Sequence, residues 1–201
     1  MNSHVNTSNR SRSQRSDPFQ LAIQFKEDGS CPSALMSQLN SGVRKLAIKK
    51  TVRLFHEEVN GDLDAEIRSV QNMPNIFKKV GEKCTELREL SVKGFVHFKD
   101  VCLELCASDK LTHVRLCCVS VTDAGVSAFL KRCPRLLSIN LEKCFVGPLT
   151  YAQVAACGPR LELLVDCCYA RKAEPLEEIV KKCTHLVTLY WKTPLRFAVV
   201  C

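Results

Sequence analysis

Along the second half of the chain, apolar residues recur in two alternating rhythms. One is a six-residue segment of the form L-x-x-L-x-L, found as LRELSV from Leu87, LTHVRL from Leu111, LLSINL from Leu136, LELLVD from Leu161 and LVTLYW from Leu186. Inward and outward positions alternate within it, which is the period of a half-buried strand. The leading leucines are 24, 25, 25 and 25 residues apart. A common residue placed by chance would rarely keep such an interval four times running, so the spacing is a repeat.

Between these segments the period changes. Apolar residues fall at i, i+3, i+4 and i+7, as on one face of a helix: Phe98, Val101, Cys102 and Leu105; Val126, Phe129, Leu130 and Cys133; Leu176, Ile179, Val180 and Cys183. Thr122 and Asp123 stand where side-chain oxygens can cap the free N–H groups of the second helix, and Pro175 suits a first helical turn.

Each unit is therefore a short strand, a turn and a helix, too small to enclose its own apolar residues. Stacking resolves this, with strands pairing in parallel on the inside of an arc and helices outside. The expected fold is an α/β leucine-rich-repeat solenoid of about five repeats, residues 84–201, preceded by an N-terminal cap over 19–83 that holds a degenerate first repeat. In that cap, VRKLAI from Val43 looks like a strand but lies 44 residues before Leu87. Leu63, Ile67 and Val70 predict one helix, Met73–Pro74 breaks it, and Phe77, Val80 and Cys84 predict another. The array is expected to stop in mid-repeat after its fifth strand, with Trp191 plugging the last core layer; the alternative expectation is a shortened form whose missing helix a partner supplies.

The cysteines follow the same register. Cys84, Cys133 and Cys183 lie three residues before a leading leucine, Cys157 four and Cys106 five, and Cys144 lies eight after Leu136. Thirteen cysteines would suggest disulfides in a secreted chain, but the start, MNSHVNTSNRSRSQRSDP, has no apolar signal centre. In a reducing compartment Cys acts as a small buried hydrophobe, and these positions are core positions.

The composite Cys133, Leu136, Ile139, Leu141, Cys144, with Thr122-Asp123-Ala124-Gly125-Val126 opening the helix before it, resembles the cysteine-containing leucine-rich-repeat subfamily. The resemblance covers residues 84–193. It departs in having a single T-D-A-G, Asp166 at an inward aliphatic position and Tyr169 for a second cysteine. That subfamily forms the substrate-binding part of many F-box leucine-rich-repeat proteins and of the antagonist of mitotic exit network family. The resemblance implies a substrate-recognition adaptor for a cullin-type ubiquitin ligase. No L-P-x-E-like F-box opening stands in residues 1–42, where DPFQLAIQF is the nearest approach.

Charge changes little. The net +8 is spread evenly, +4 over residues 1–83 (13 basic, 9 acidic) and +4 over 84–201 (16 basic, 12 acidic). The one bias is Arg10, Arg12 and Arg15 in a Ser/Asn/Arg-rich leader, residues 1–18, which has little to bury and is expected to be disordered. No run reaches the roughly 18 apolar residues of a membrane span. A cytoplasmic or nuclear, membrane-free protein is the expectation.

Candidate chemistry is sparse. No G-x-S-x-G, H-E-x-x-H or G-K-[ST] phosphate loop occurs, so no catalysis and no cofactor are expected. Cys102 with Cys106, Cys117 with Cys118, and Cys167 with Cys168, near His113, leave a metal site open, but the pairs lie in different repeats. Cys117 and Cys167 at outward strand positions leave a reactive thiol open.

The period of two sends the intervening residues out of the concave sheet face. These are Glu89, Ser91 and Lys93; His113, Arg115 and Cys117; Ser138, Asn140 and Glu142; Leu163, Val165 and Cys167; Thr188, Tyr190 and Lys192. A protein partner on that surface is the leading expectation, anchored at the apolar end made by Leu163, Val165 and Tyr190. A plain scaffold without a ligase, weak nucleic-acid binding by the basic leader, and a thiol-based metal or redox protein are the alternatives.

Overall fold

The computed structural model of the chain describes residues 19–25, 36–50, 63–95, 98–167 and 174–191. The leader, Lys192 and the segment after it lie outside these. Seven strands form one parallel sheet in chain order. They are β1 (Gln20–Phe25), β2 (Lys45–Lys50), β3 (Glu89–Lys93), β4 (His113–Cys117), β5 (Ser138–Glu142), β6 (Leu163–Cys167) and β7 (Thr188–Trp191). Among the described residues the helices that accompany them are α1 (Leu63–Lys83), α2 (Asp100–Cys106), α3 (Asp123–Lys131), α4 (Pro148–Cys157) and α5 (Glu174–Lys182), with a 3-10 turn at Gly158–Arg160. Successive helices pack side by side.

The rhythm of the sequence becomes the register of the sheet. Leu90 pairs with Val114, Val114 with Ile139, Ile139 with Leu164, and Leu164 with Leu189. Strand residues pointing at the helices are buried, among them Leu90, Val92, Val114, Leu116, Ile139 and Leu141, and they share one core with Phe77, Phe98, Val126, Phe129 and Val154. Edge-on ring pairs, Phe25 with Phe95 at 5.1 Å and Phe77 with Phe98 at 4.8 Å, tie the N-terminal layers together.

Four expectations are corrected. First, the sheet has a strand more than the pattern predicts: Gln20–Phe25, the segment nearest to an F-box opening, pairs in parallel with β2, Leu21 against Leu46. Second, Met73–Pro74 does not break a helix, since α1 runs unbroken through Pro74. Burial of Met73, Ile76, Phe77 and Val80 on one side offsets the lost N–H and ring clash of a mid-helix proline, worth about 3 kcal/mol. Third, Val101 and Val180 face outward, 45% and 52% exposed, while Leu103 is fully buried in place of Val101. Helix α2 has only seven residues, so its buried stripe is Cys102, Leu103 and Cys106. Fourth, Leu189 is 39% exposed rather than core. Trp191 does pack on the core, its ring 5.2 Å from that of Tyr151.

Consecutive units are also clamped from outside the sheet. Thr122 caps its own helix α3, accepting from the Gly125 N–H at 3.0 Å. Asp123 caps the following helix instead: its carboxylate accepts the N–H groups of Gly147 (2.8 Å), Leu149 (3.0 Å) and Thr150 (2.8 Å). Asp100 does the same one unit earlier, accepting from the Thr122 N–H and hydroxyl at 2.8 and 2.5 Å. A Cβ at 125 would lie 2.0 Å from the Asp100 carboxyl carbon, so glycine there leaves room for the carboxylate that holds Thr122.

Candidate functional site

The face of the sheet turned away from the helices carries the candidate site. Register lines its side chains up in three rows across the strands. The first row runs Lys45, Glu89, His113, Ser138, Leu163, Thr188, and the second runs Ala47, Ser91, Arg115, Asn140, Val165, Tyr190. The third runs Lys49, Lys93, Cys117, Glu142. The structure thus brings together Glu89, Ser91, Lys93, His113, Arg115, Asn140, Glu142, Leu163, Val165 and Tyr190, as their spacing predicts, while Lys192 lies outside the described residues. Cys167 is in β6, and its partner cysteine at 168 lies outside them.

A trough of about 450 Å³ follows the first two rows over six strands, from Gln20 to Leu163 and Val165. Its floor is low at Ala47 and Ser91, where small side chains stand in the second row. Gln20, Lys45 and Ala47 extend it beyond the residues that sequence spacing selects. The shared Leu-Ala-Ile of residues 21–23 and 46–48, 25 apart, is the signal that places β1 in this surface.

Charge on the face is partly settled internally. Lys45 pairs with Glu89 at 3.1 Å and Arg115 with Glu142 at 2.8 Å. Both are surface pairs, and each contributes at most about 1 kcal/mol. Partial burial by itself would raise the Glu142 carboxyl, but a hydrogen bond with Cys117, the Arg115 charge and the Asn140 amide outweigh it and hold it below the usual carboxylate range. Asn140 is left with a buried Oδ1 that has no hydrogen-bond partner among the described residues.

The register position of Cys117 is outward, yet the residue is buried, with its Sγ 3.7 Å from that of Cys118. Burial first, then the hydrogen bond to Glu142 and the contact with Cys118, push its thiol up to about 12. A thiol so placed is almost wholly protonated at neutral pH and a poor nucleophile.

The cysteines beside the leading leucines, Cys84, Cys106, Cys133, Cys157 and Cys183, are all buried free thiols. Desolvation raises each of them, with Cys133 and Cys157 at about 11. Among the described residues no three His, Cys, Asp or Glu side chains gather in a metal-binding group. Among those residues, too, no helix is long and apolar enough to cross a membrane.

No protein-family model matches the sequence, and no curated protein matches it either.

Proposed function

We propose that the chain is a leucine-rich-repeat module that binds another protein on its concave sheet face and catalyses no reaction. The observation that carries this is the open trough: six strands present a continuous surface of mixed polarity, with half-buried Leu163 and Val165 and 53% exposed Tyr190 at one end. Aromatic and aliphatic anchors next to polar groups are the composition of a protein-binding patch. The strand spacing of 24 or 25 residues and the buried cysteines support the cysteine-containing repeat class.

The narrower role, substrate recognition for a cullin-type ubiquitin ligase, rests on resemblance to F-box repeat proteins. It would need a docking segment other than an F-box in residues 1–42, of which Gln20–Phe25 is a sheet strand. Cytoplasmic or nuclear residence belongs to the same reading.

The test is affinity purification of the full chain from cells under mild reduction, wild type beside Leu163→Asp/Tyr190→Asp. Loss of a partner from the variant, with thermal stability kept, supports the concave site. A cullin adaptor recovered with both chains supports the ligase role, and its absence from both leaves a scaffold.

A further inference from the structure

Four features of the open face are not used by the fold. Lys49 and Lys93 stand opposite one another on β2 and β3, and no ion pair reaches either among the described residues. Adjacent strands lie about 4.8 Å apart and like charges directly opposite are destabilising, so an anion between them would be stabilised by both. Beside them in the second row, Ala47 and Ser91 leave the floor of the trough low. Further along that row, half-exposed Arg115 keeps donors beyond the one bonded to Glu142. Finally, Leu163 and Val165 offer apolar surface at the far end.

From these we infer that the trough takes an extended peptide segment of the partner, lying across the strands, with an acidic residue four positions from a bulky apolar one. This rests on the concave-face reading above and gives it a ligand chemistry. The acidic side chain sits over Ala47 and Ser91, against Lys49 and Lys93. The peptide backbone gives a carbonyl to Arg115, whose side chain is about half exposed. The apolar side chain rests on Leu163 and Val165.

The spacing follows from geometry. From β3 to β6 is three strand intervals, about 14 Å, and from between β2 and β3 it is about 17 Å. At about 3.4 Å per extended residue this spans four to five residues, and because successive side chains alternate between faces, a separation of four directs both toward the sheet. A solvated polyanion such as single-stranded nucleic acid fits the lysine pair but not the apolar end.

The experiment is fluorescence anisotropy of the full chain with labelled 12-residue Gly/Ser peptides carrying one Glu and one Leu at separations of one to eight. The expected result is tightest binding at four, with Lys49→Glu/Lys93→Glu weakening that peptide about five- to tenfold, as two exposed charge contacts should. The same variant should come to prefer Lys in place of Glu. Both lysines are on the sheet surface, and an unchanged melting temperature checks that the variant is folded. Binding that ignores the spacing, binding unaffected by the double reversal, no binding of any peptide, or equal binding of polyuridylate would each overturn the proposal. Cellular partner binding that is lost in Leu163→Asp/Tyr190→Asp but indifferent to the lysine reversal would overturn this inference alone and leave the concave site standing.

Discussion

Asp123→Ala probes the clamp between units. The carboxylate accepts three backbone N–H groups at the start of α4, whose own N-cap position is Gly147 and brings no side-chain oxygen. Loss of a helix cap costs about 0.5–2 kcal/mol. Here one ion serves three donors, two of them partly buried, while the Leu149 N–H is exposed and can turn to water. Charge-assisted bonds raise the value and water replacement lowers it, which gives about 2–3 kcal/mol.

The pH dependence has a definite sign. Burial alone would raise the Asp123 carboxyl, but hydrogen bonds from Thr150, Gly147 and Leu149 outweigh it and hold its pKa below the ordinary value. A depressed folded pKa gives stability that is present above the unfolded value, about 3.9, and lost as pH falls through the folded one. The assay is urea unfolding of both chains followed by circular dichroism at pH 7 and at steps down to pH 3. The gap should be full at pH 7 and narrow below about pH 4. A loss under 0.5 kcal/mol at pH 7, or a gap that widens in acid, would refute the clamp.

Three further outcomes are expected. Gly81→Ala should destabilise by about 1–3 kcal/mol in the same unfolding assay, because the new Cβ would lie 2.1 Å from the Leu105 carbonyl oxygen, where α1 meets α2. Lys143 holds φ at 53°, a left-handed conformation that costs a non-glycine residue about 1–2 kcal/mol, so Lys143→Gly should be neutral or stabilising by up to about 1 kcal/mol after the entropy of glycine is subtracted. Cys118 shares that angle at the equivalent turn and is only partly buried, whereas Cys117, Cys133 and Cys157 are buried. Iodoacetamide at pH 7.5 with peptide mapping should therefore modify Cys118 well before Cys117, Cys133 or Cys157, which should react only on unfolding. Rapid modification of Cys117 would contradict its burial.

The strands from Leu87 onward were legible because each must bury the same alternating face, so the leucine interval and the sheet register are one property seen twice. Strand β1 was not, because Gln20–Phe25 has no leading leucine three residues ahead; only the Leu-Ala-Ile shared with β2 marks it. Helix faces were legible in part. Val126, Phe129 and Leu130 are buried on α3 as their spacing predicts, whereas Val101 on seven-residue α2 and Val180 on α5 stand in solvent.

The site divides in the same way. Which side chains share the open face follows from period two alone, so Glu89 through Tyr190 could be chosen from spacing. What those side chains do to one another could not. The burial of Cys117 depends on Glu142 from the next strand and on the turn at Cys118, and the orphaned Asn140 acceptor depends on where Glu142 draws its amide. The reach of Asp123 into the next unit was hidden likewise, since a local cap and a cap one unit away use the same residue types.

The central claim is that partners sit on the open sheet face, and site-specific photo-crosslinking tests it most directly. A benzophenone side chain is placed in turn at Ser91 and Ser138 on that face, and at Gln153 and Glu177 on the helices, and each full-length chain is irradiated in cells. Partner adducts from Ser91 and Ser138 and none from Gln153 and Glu177 are predicted; adducts confined to the helical positions would contradict the account.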